Sequence, residues 1–202
     1  MHNVHRRFSE KFRSHWIKVK FYKEKPKENE AERLSGVRFC EATKEATLYP
    51  VLLDRKSISC LGAQSVFGWK LNYKNELLDS CYDKRKTQKN ILKSMLSQIP
   101  YFKKPFRYIG LNTEGIPDLV MSYMPPADVM NLIKMYHNRQ GVNLDVSLCS
   151  MMSICGGIAA RTYLDEKISI SFGCDDSRKY ADMRRENLAI GIPNKLFNIF
   201  ID

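Results

Sequence analysis

The sequence predicts one α+β domain, built on a mixed or antiparallel sheet that short helices flank. The chain has 202 residues, of which 44% are hydrophobic, enough for one sizeable core and marginal for two. Its order mixes strand pairs with single helices, whereas a doubly wound parallel sheet needs regular βαβ alternation. The sequence contains neither a P-loop motif nor GxGxxG, which also disfavours the nucleotide-binding folds.

The first half of the chain begins with a strand. Residues 16–22 (WIKVKFY) alternate between apolar and polar side chains, as a half-buried strand does. The polar residues 72–86 leave two interpretations open, a helical insertion or a mobile loop. The other predicted elements of this half are a loop at 23–35, a helix at 38–47, a strand at 48–53, a helix from Ser59, and a helix at 87–98.

The second half supplies most of the remaining sheet. Strands at 106–112 and 118–124 are separated by the turn at 113–115, which predicts a hairpin or an adjacent pair. Residues 126–138 have helical apolar spacing, and Gly141 ends that helix. The elements predicted after it are a buried helix around 154–163, a strand at 168–173, a helix from Asp175, a strand at 188–192, and a C-terminal helical segment.

The predicted domain covers residues 16–202 and follows a basic extension at residues 1–15. No segment approaches the roughly 20 apolar residues of a membrane span, and the N-terminus lacks the apolar core of a secretory signal. We therefore expect a soluble protein in the cytoplasm, where cysteines stay reduced.

The net charge of +11 raises the question of an anionic partner. Basic residues concentrate before residue 28 and again between 84 and 104, and Phe8, Phe12 and Trp16 interleave with the first group. This composition allows a nucleic-acid-associated protein. The sequence shows neither an RNP motif nor a helix-turn-helix pattern, so a solvated basic face is the favoured interpretation.

Four of the six cysteines share one local context. Each lies at or near a predicted helix start and precedes small or capping residues, and the four are Cys40, Cys60, Cys155 and Cys174. A helix start favours the thiolate, which is the form that binds metals and attacks electrophiles. The alternative is that each is a small buried hydrophobic residue. Cys81 and Cys149 lack this context and are assigned to the surface and the core.

The segment GCDDSRKYA at 173–181 suggests a second group of site residues. Ser177 and the aspartates before it suit a helix cap, and Arg178 is placed either to clamp an anionic ligand beside Cys174 or to pair with a carboxylate. Weaker candidates of the same type are Tyr108 and Arg161. The histidines form no HxxxH pair and GxSxG is absent, so a conventional hydrolase is disfavoured.

Five segments in series resemble the uncharacterised domain-of-unknown-function family one hundred and sixty-nine, over roughly residues 16–200. They are FCEATKEA, ISCLGAQSVFG, YIGLNTEGIPDLVMSYMPPADVMNLI, ICGGIAARTY and ISISFGCDDSRKYADMRRENLAIGIP. The resemblance implies a prokaryotic cytoplasmic protein, often from anaerobes, in which iron–sulfur clusters survive. It maps the family's cysteine pattern onto the same four cysteines and adds Arg178. The chain departs from the family at Leu61, where proline is frequent.

Three functions remain as hypotheses. The first is an iron–sulfur cluster or other thiolate-ligated metal at Cys40, Cys60, Cys155 and Cys174, for a redox or cofactor-related role. Arg178, Ser177, Tyr108 and Arg161 would surround it or bind ligand, and the partner would be an anionic small molecule or a redox protein. The second is an enzyme or small-molecule binder with a reactive thiol at Cys60 or Cys174. The third is nucleic-acid association. The sequence leaves catalysis itself undecided.

Overall fold

The structure is a computed structural model that describes residues 15–27, 31–70, 74–85 and 87–200. The predicted N-terminal extension lies outside these residues except for His15.

Six strands in the described residues form one antiparallel sheet, in the order β2-β3-β1-β4-β6-β5. They are β1 (Ile17–Tyr22), β2 (Val51–Asp54), β3 (Tyr108–Leu111), β4 (Leu119–Met124), β5 (Ser169–Ser171) and β6 (Leu188–Pro193). The predicted α+β class is thus confirmed. The predicted pairing of β3 with β4 is wrong, because β1 lies between them and pairs with both. The turn at 113–115 indicated only that these two strands follow each other along the chain. It could not show that a strand from a distant segment lies between them in the sheet.

Helices lie on both faces of the sheet. In chain order they are α1 (Phe39–Glu45), α2 (Leu61–Val66), α3 (Lys74–Arg85), α4 (Lys89–Ser97), α5 (Pro126–Gln140), α6 (Ser153–Ala160 and Arg161–Asp165), α7 (Asp175–Tyr180) and α8 (Asn194–Phe197). The polar segment 72–86, for which the sequence allowed either a helix or a mobile loop, contains the helix α3. As predicted, α5 ends at Gly141, which has a left-handed φ of 65°. Within the described ranges, none of the helices has both the length and the apolarity of a membrane span.

The two faces of the sheet belong to two hydrophobic cores. Successive side chains of a strand point to opposite faces. On β4, Met121 joins the main core, which includes residues of α1, α2 and α6. Its neighbour Val120 joins the second core, with Val129 of α5 and Phe197 of α8. All of the cysteines that belong to a core belong to the main one, so this face of the sheet carries the candidate site.

The helix α6 begins as a π-helix over Ser153–Ala160 and continues as an α-helix over Arg161–Asp165. All eight π-helical residues are buried. The N–H of Gly157 donates to the carbonyl of Met152, a five-residue hydrogen bond of 3.1 Å. Packing is close here, since a Cβ on Gly156 would lie 2.6 Å from Cγ2 of Ile99. The predicted buried helix is present, and its wide turns are typical of functional sites.

Candidate functional site

The four singled-out cysteines lie at the starts of four different helices. Cys60 and Cys174 immediately precede α2 and α7. Cys40 is the second residue of α1, and Cys155 is the third residue of α6. All six cysteines are in described residues, and none of them forms a disulfide.

These four thiols lie close enough together to affect one another's ionisation. Burial, with smaller contributions from the neighbouring thiols Cys174 and Cys60, raises the pKa of Cys40 to about 12. Burial also raises the pKa of Cys155 well above its usual range, with additional contributions from Cys60, Cys174 and Cys40. Both buried groups are therefore neutral thiols at physiological pH.

A cavity of about 270 Å³ opens beside the cluster. Sulfur-bearing side chains form much of its wall, namely Cys60, Cys81, Cys174, Met151 and Met152. Gly62 permits this arrangement, because a Cβ there would lie 2.7 Å from Cγ of Met152. The sequence analysis had assigned Cys81 to the surface. Its helix α3 is polar along most of its length, so its residues gave no local signal for a place on this wall.

Arg38 supplies a cation to the same cavity. Its Nε lies 3.4 Å from a carboxylate oxygen of Asp176, and its guanidinium carbon lies 4.0 Å from the ring centroid of Tyr180. Burial lowers the pKa of Arg38, but Asp176 and Tyr180 raise it, and the net direction is upward. Arg38 was not predicted as a site residue, although its position just before α1 and Cys40 was a usable signal.

Ser177 and Arg178 both lie beside Cys174 and hold its surroundings in place. The hydroxyl of Ser177 accepts the N–H of Cys174 at 2.8 Å and donates to its carbonyl at 2.9 Å. The guanidinium of Arg178 donates to backbone carbonyls on both sides of α7, those of Phe172, Met183, Arg184 and Asn187. Arg178 therefore holds the loops on both sides of α7 in place beside Cys174. Its terminal N–H groups are used in these hydrogen bonds to backbone carbonyls.

The other two predicted site residues, Arg161 and Tyr108, do not line the sulfur-lined cavity. Arg161 lines a second cavity, of about 340 Å³, which shares Ser150 and Met151 with the first. Tyr108 begins β3, where the next residue, Ile109, points into the main core. Alternation along the strand places Tyr108 on the opposite face of the sheet from the thiols.

The amino-acid sequence matches the DUF169 family, described as "Uncharacterised ArCR", over residues 11–202. The chain belongs to this family. An uncharacterised protein of Methanocaldococcus jannaschii, MJ0308, is 25% identical over 81 residues, which is 40% of this chain. The match spans 35% of that protein's length. No solved structure matches the chain.

Tyr123 lies beside the thiol cluster and was not among the candidate residues predicted from the sequence. Its hydroxyl lies 2.8 Å from Oγ1 of Thr43, which donates to the carbonyl of Cys40 at 2.6 Å. Because that bond uses the only hydroxyl proton of Thr43, Tyr123 is the donor to Thr43. Burial raises the pKa of Tyr123, and Cys40, Cys174 and Cys155 also raise it. The tyrosine hydroxyl thus lies among the thiols.

The described residues do not form a ready-made site for a single metal ion. A tetrahedral ion with metal–sulfur bonds of about 2.3 Å requires sulfur atoms about 3.8 Å apart. In the part of the chain that the structure describes, no three histidine, cysteine or acidic side chains form a group that could hold a metal ion.

Proposed function

We propose that this DUF169 protein binds a thiophilic metal group, in the first instance an iron–sulfur cluster, for a redox or cofactor-related role. The ligands would be Cys40, Cys60, Cys155 and Cys174. The convergence of four thiols, from four separate helix starts, beside one sulfur-lined cavity carries the proposal.

The donor set supports an iron–sulfur cluster. Cysteine thiolates are the usual ligands of iron–sulfur clusters, and none of the described residues that line this cavity is a histidine. When bound, a cluster would supply one-electron transfer, which requires a redox partner protein.

The residues of the chain would take different parts in binding. Cys60 and Cys174 present partly exposed thiols on the cavity wall. Cys40 and Cys155 are buried and neutral, so their coordination requires the loss of two protons. Binding should therefore strengthen as the pH rises. Arg38 lines the same cavity and pairs there with Asp176, so this part of the wall carries both signs of charge.

Anaerobic analysis of iron and acid-labile sulfide tests this proposal. We expect iron and sulfide in the wild type, with brown colour and absorbance near ~400 nm, and their loss in Cys174→Ser. The matched control is Cys149→Ser, which makes the same chemical change outside the four ligands and should keep both. Colourless, metal-free wild-type protein from an anaerobic preparation would contradict the proposal.

A reactive thiol at Cys60 or Cys174 is the second candidate function. It is favoured by the position of these two thiols, which share a cavity wall with Arg38, while Cys40 and Cys155 do not line it. Such a thiolate would attack an electrophilic small molecule bound in this cavity. One cysteine that alkylates rapidly at neutral pH would support this function, and equal slow alkylation of all six would argue against it.

A further inference from the structure

The second cavity differs in chemistry from the sulfur-lined one. Its volume of about 340 Å³ is in the range of sites for small organic ligands. Polar side chains on its wall are Gln98, Ser147, Ser150 and Arg161. None of the described residues that line it is acidic, and among them Arg161 supplies the charge.

The guanidinium of Arg161 is held in place with donors to spare. One terminal nitrogen donates to the carbonyl of Gln98 at 3.2 Å, and the other lies 3.5 Å from a carboxylate oxygen of Asp165. Its Nε is buried and has no hydrogen-bond partner among the described residues. The two terminal nitrogens carry four N–H donors, so these two contacts leave others available. Asp165 is 45% exposed, and solvent screens its charge.

The charge of Arg161 also acts on the wall of this cavity. Burial raises the pKa of the Cys149 thiol, and Arg161 counteracts that effect by favouring the thiolate. Cys149 lines the cavity and packs on Gly157, where a Cβ would lie 2.9 Å from its sulfur. The thiol is thus both a neighbour of Arg161 and a probe of the cavity's occupancy.

Two exposed apolar side chains line the same cavity. Leu148 is 54% exposed and Phe172 is 59% exposed. A cation beside exposed apolar surface suits an organic anion better than a bare inorganic ion. We propose that this cavity binds the oxyanion group of a small organic molecule, a carboxylate or a phosphate, through Arg161. This site goes beyond the proposed metal function and does not depend on it.

Calorimetric titration of the full-length protein tests the site at constant ionic strength. The probes are benzoate and phenyl phosphate, whose relative affinities identify the oxyanion, and inorganic phosphate, which lacks an apolar part. We expect saturable binding of at least one aromatic probe, tighter than that of inorganic phosphate. Arg161→Gln should weaken it at least about tenfold, because a charge-assisted contact is lost.

The matched control is Arg185→Gln, which removes the same charge from an exposed arginine that does not line this cavity. It should change the affinity less than about twofold, because solvent screens an exposed charge that does not line the cavity. A second pair of variants, both at Ser147, tests the site without altering Arg161. Ser147 is exposed on the cavity wall, so Ser147→Asp should fold and repel the probe, whereas the neutral Ser147→Asn should bind it.

Alkylation gives an independent readout on the unaltered chain. The bound probe should slow alkylation of Cys149, as measured by peptide mass spectrometry, and leave Cys81, on the other cavity, unchanged. The inference is overturned if no probe binds, if both arginine variants lose affinity equally, or if Ser147→Asp binds as Ser147→Asn does. Iron and sulfide measured on the same preparations keep this result separate from the fate of the proposed cluster.

Discussion

The two pairs of thiols in the cluster differ in how deeply they lie, although all four are at helix starts. Cys40 and Cys155 are 8% and 7% exposed and belong to the main core. Cys60 and Cys174 are partly exposed and line the cavity. The buried pair lies one or two residues inside its helices, where side chains turn toward the sheet. The wall pair occupies the capping position just outside. A shift of two or three residues along a helix start therefore separates a core thiol from an accessible one.

Reactivity should show the largest difference between the two pairs. A thiol with a pKa of about 12, such as Cys40, is thiolate in only about one part in ten thousand near pH 8. We expect Cys60 and Cys174 to alkylate at least about a hundredfold faster than Cys40 and Cys155 in metal-free protein. Iodoacetamide time courses read by peptide mass spectrometry would measure this. Urea-unfolded protein is the control, in which all four should react alike.

The pH dependence of stability should report the buried pair. Since the folded-state pKa of Cys40 is about 12 and the usual value is 9.0, the unfolded chain loses this proton first. The stabilisation is complete below pH 9.0 and is lost as the pH rises toward about 12. The free energy of unfolding should fall by up to about 1.4 kcal/mol per pH unit from this group.

Urea denaturation of metal-free wild type and Cys40→Ala, at a series of pH values above 9.0, isolates that contribution. The variant should show a shallower decline, while Cys60→Ala, from the wall pair, should follow the wild type. Parallel curves for wild type and Cys40→Ala would mean that Cys40 is not buried as a neutral thiol.

Substitution by serine should separate the pairs by stability. Cys155→Ser places a more polar group in the core and should cost about 1–2 kcal/mol of unfolding free energy. Cys60→Ser, on the partly exposed wall, should cost less than about 0.5 kcal/mol. Urea midpoints of the metal-free proteins would give both values. Equal losses would remove the distinction between core and wall thiols.

A smaller loss of stability than that of Cys155→Ser is expected for the polar contact beneath the buried pair. Tyr123→Phe removes the hydrogen bond to Thr43 while keeping the ring, at a cost of about 0.5–1.5 kcal/mol. Thermal unfolding would measure it. Alkylation of Cys60 should keep its wild-type rate, since this contact lies beside Cys40. Faster alkylation of Cys60 in this variant would instead show that Tyr123 also stabilises the cavity wall that Cys60 lines.

Local signals were enough to predict the fold class and the helix-start cysteines. The alternation of apolar and polar residues at 16–22 predicted β1. The small and capping residues after Cys60 and Cys174 predicted the starts of α2 and α7. These features depend on residues a few positions apart, which is why they can be recognised without tertiary structure.

Features that depend on distant contacts could not be predicted in this way. The insertion of β1 between β3 and β4 joins segments about 90 residues apart. The place of Cys81 on the cavity wall depends on how a polar helix packs, and that helix has almost no amphipathic pattern. Arg178 was expected to meet a ligand or a carboxylate. Its bonds to four carbonyls depend on loop conformations that composition does not encode.

The π-helix of α6 sets the angular relation between the thiol cluster and the cation of the second cavity. The thiol of Cys155 belongs to the π-helical part, and Arg161 begins the α-helical part that follows. In an α-helix each residue turns the chain by about 100°. Deleting one residue between these two would therefore swing Arg161 by roughly a quarter turn relative to the cluster. The widened turns thus determine the direction in which Arg161 leaves the helix relative to the buried thiol of Cys155.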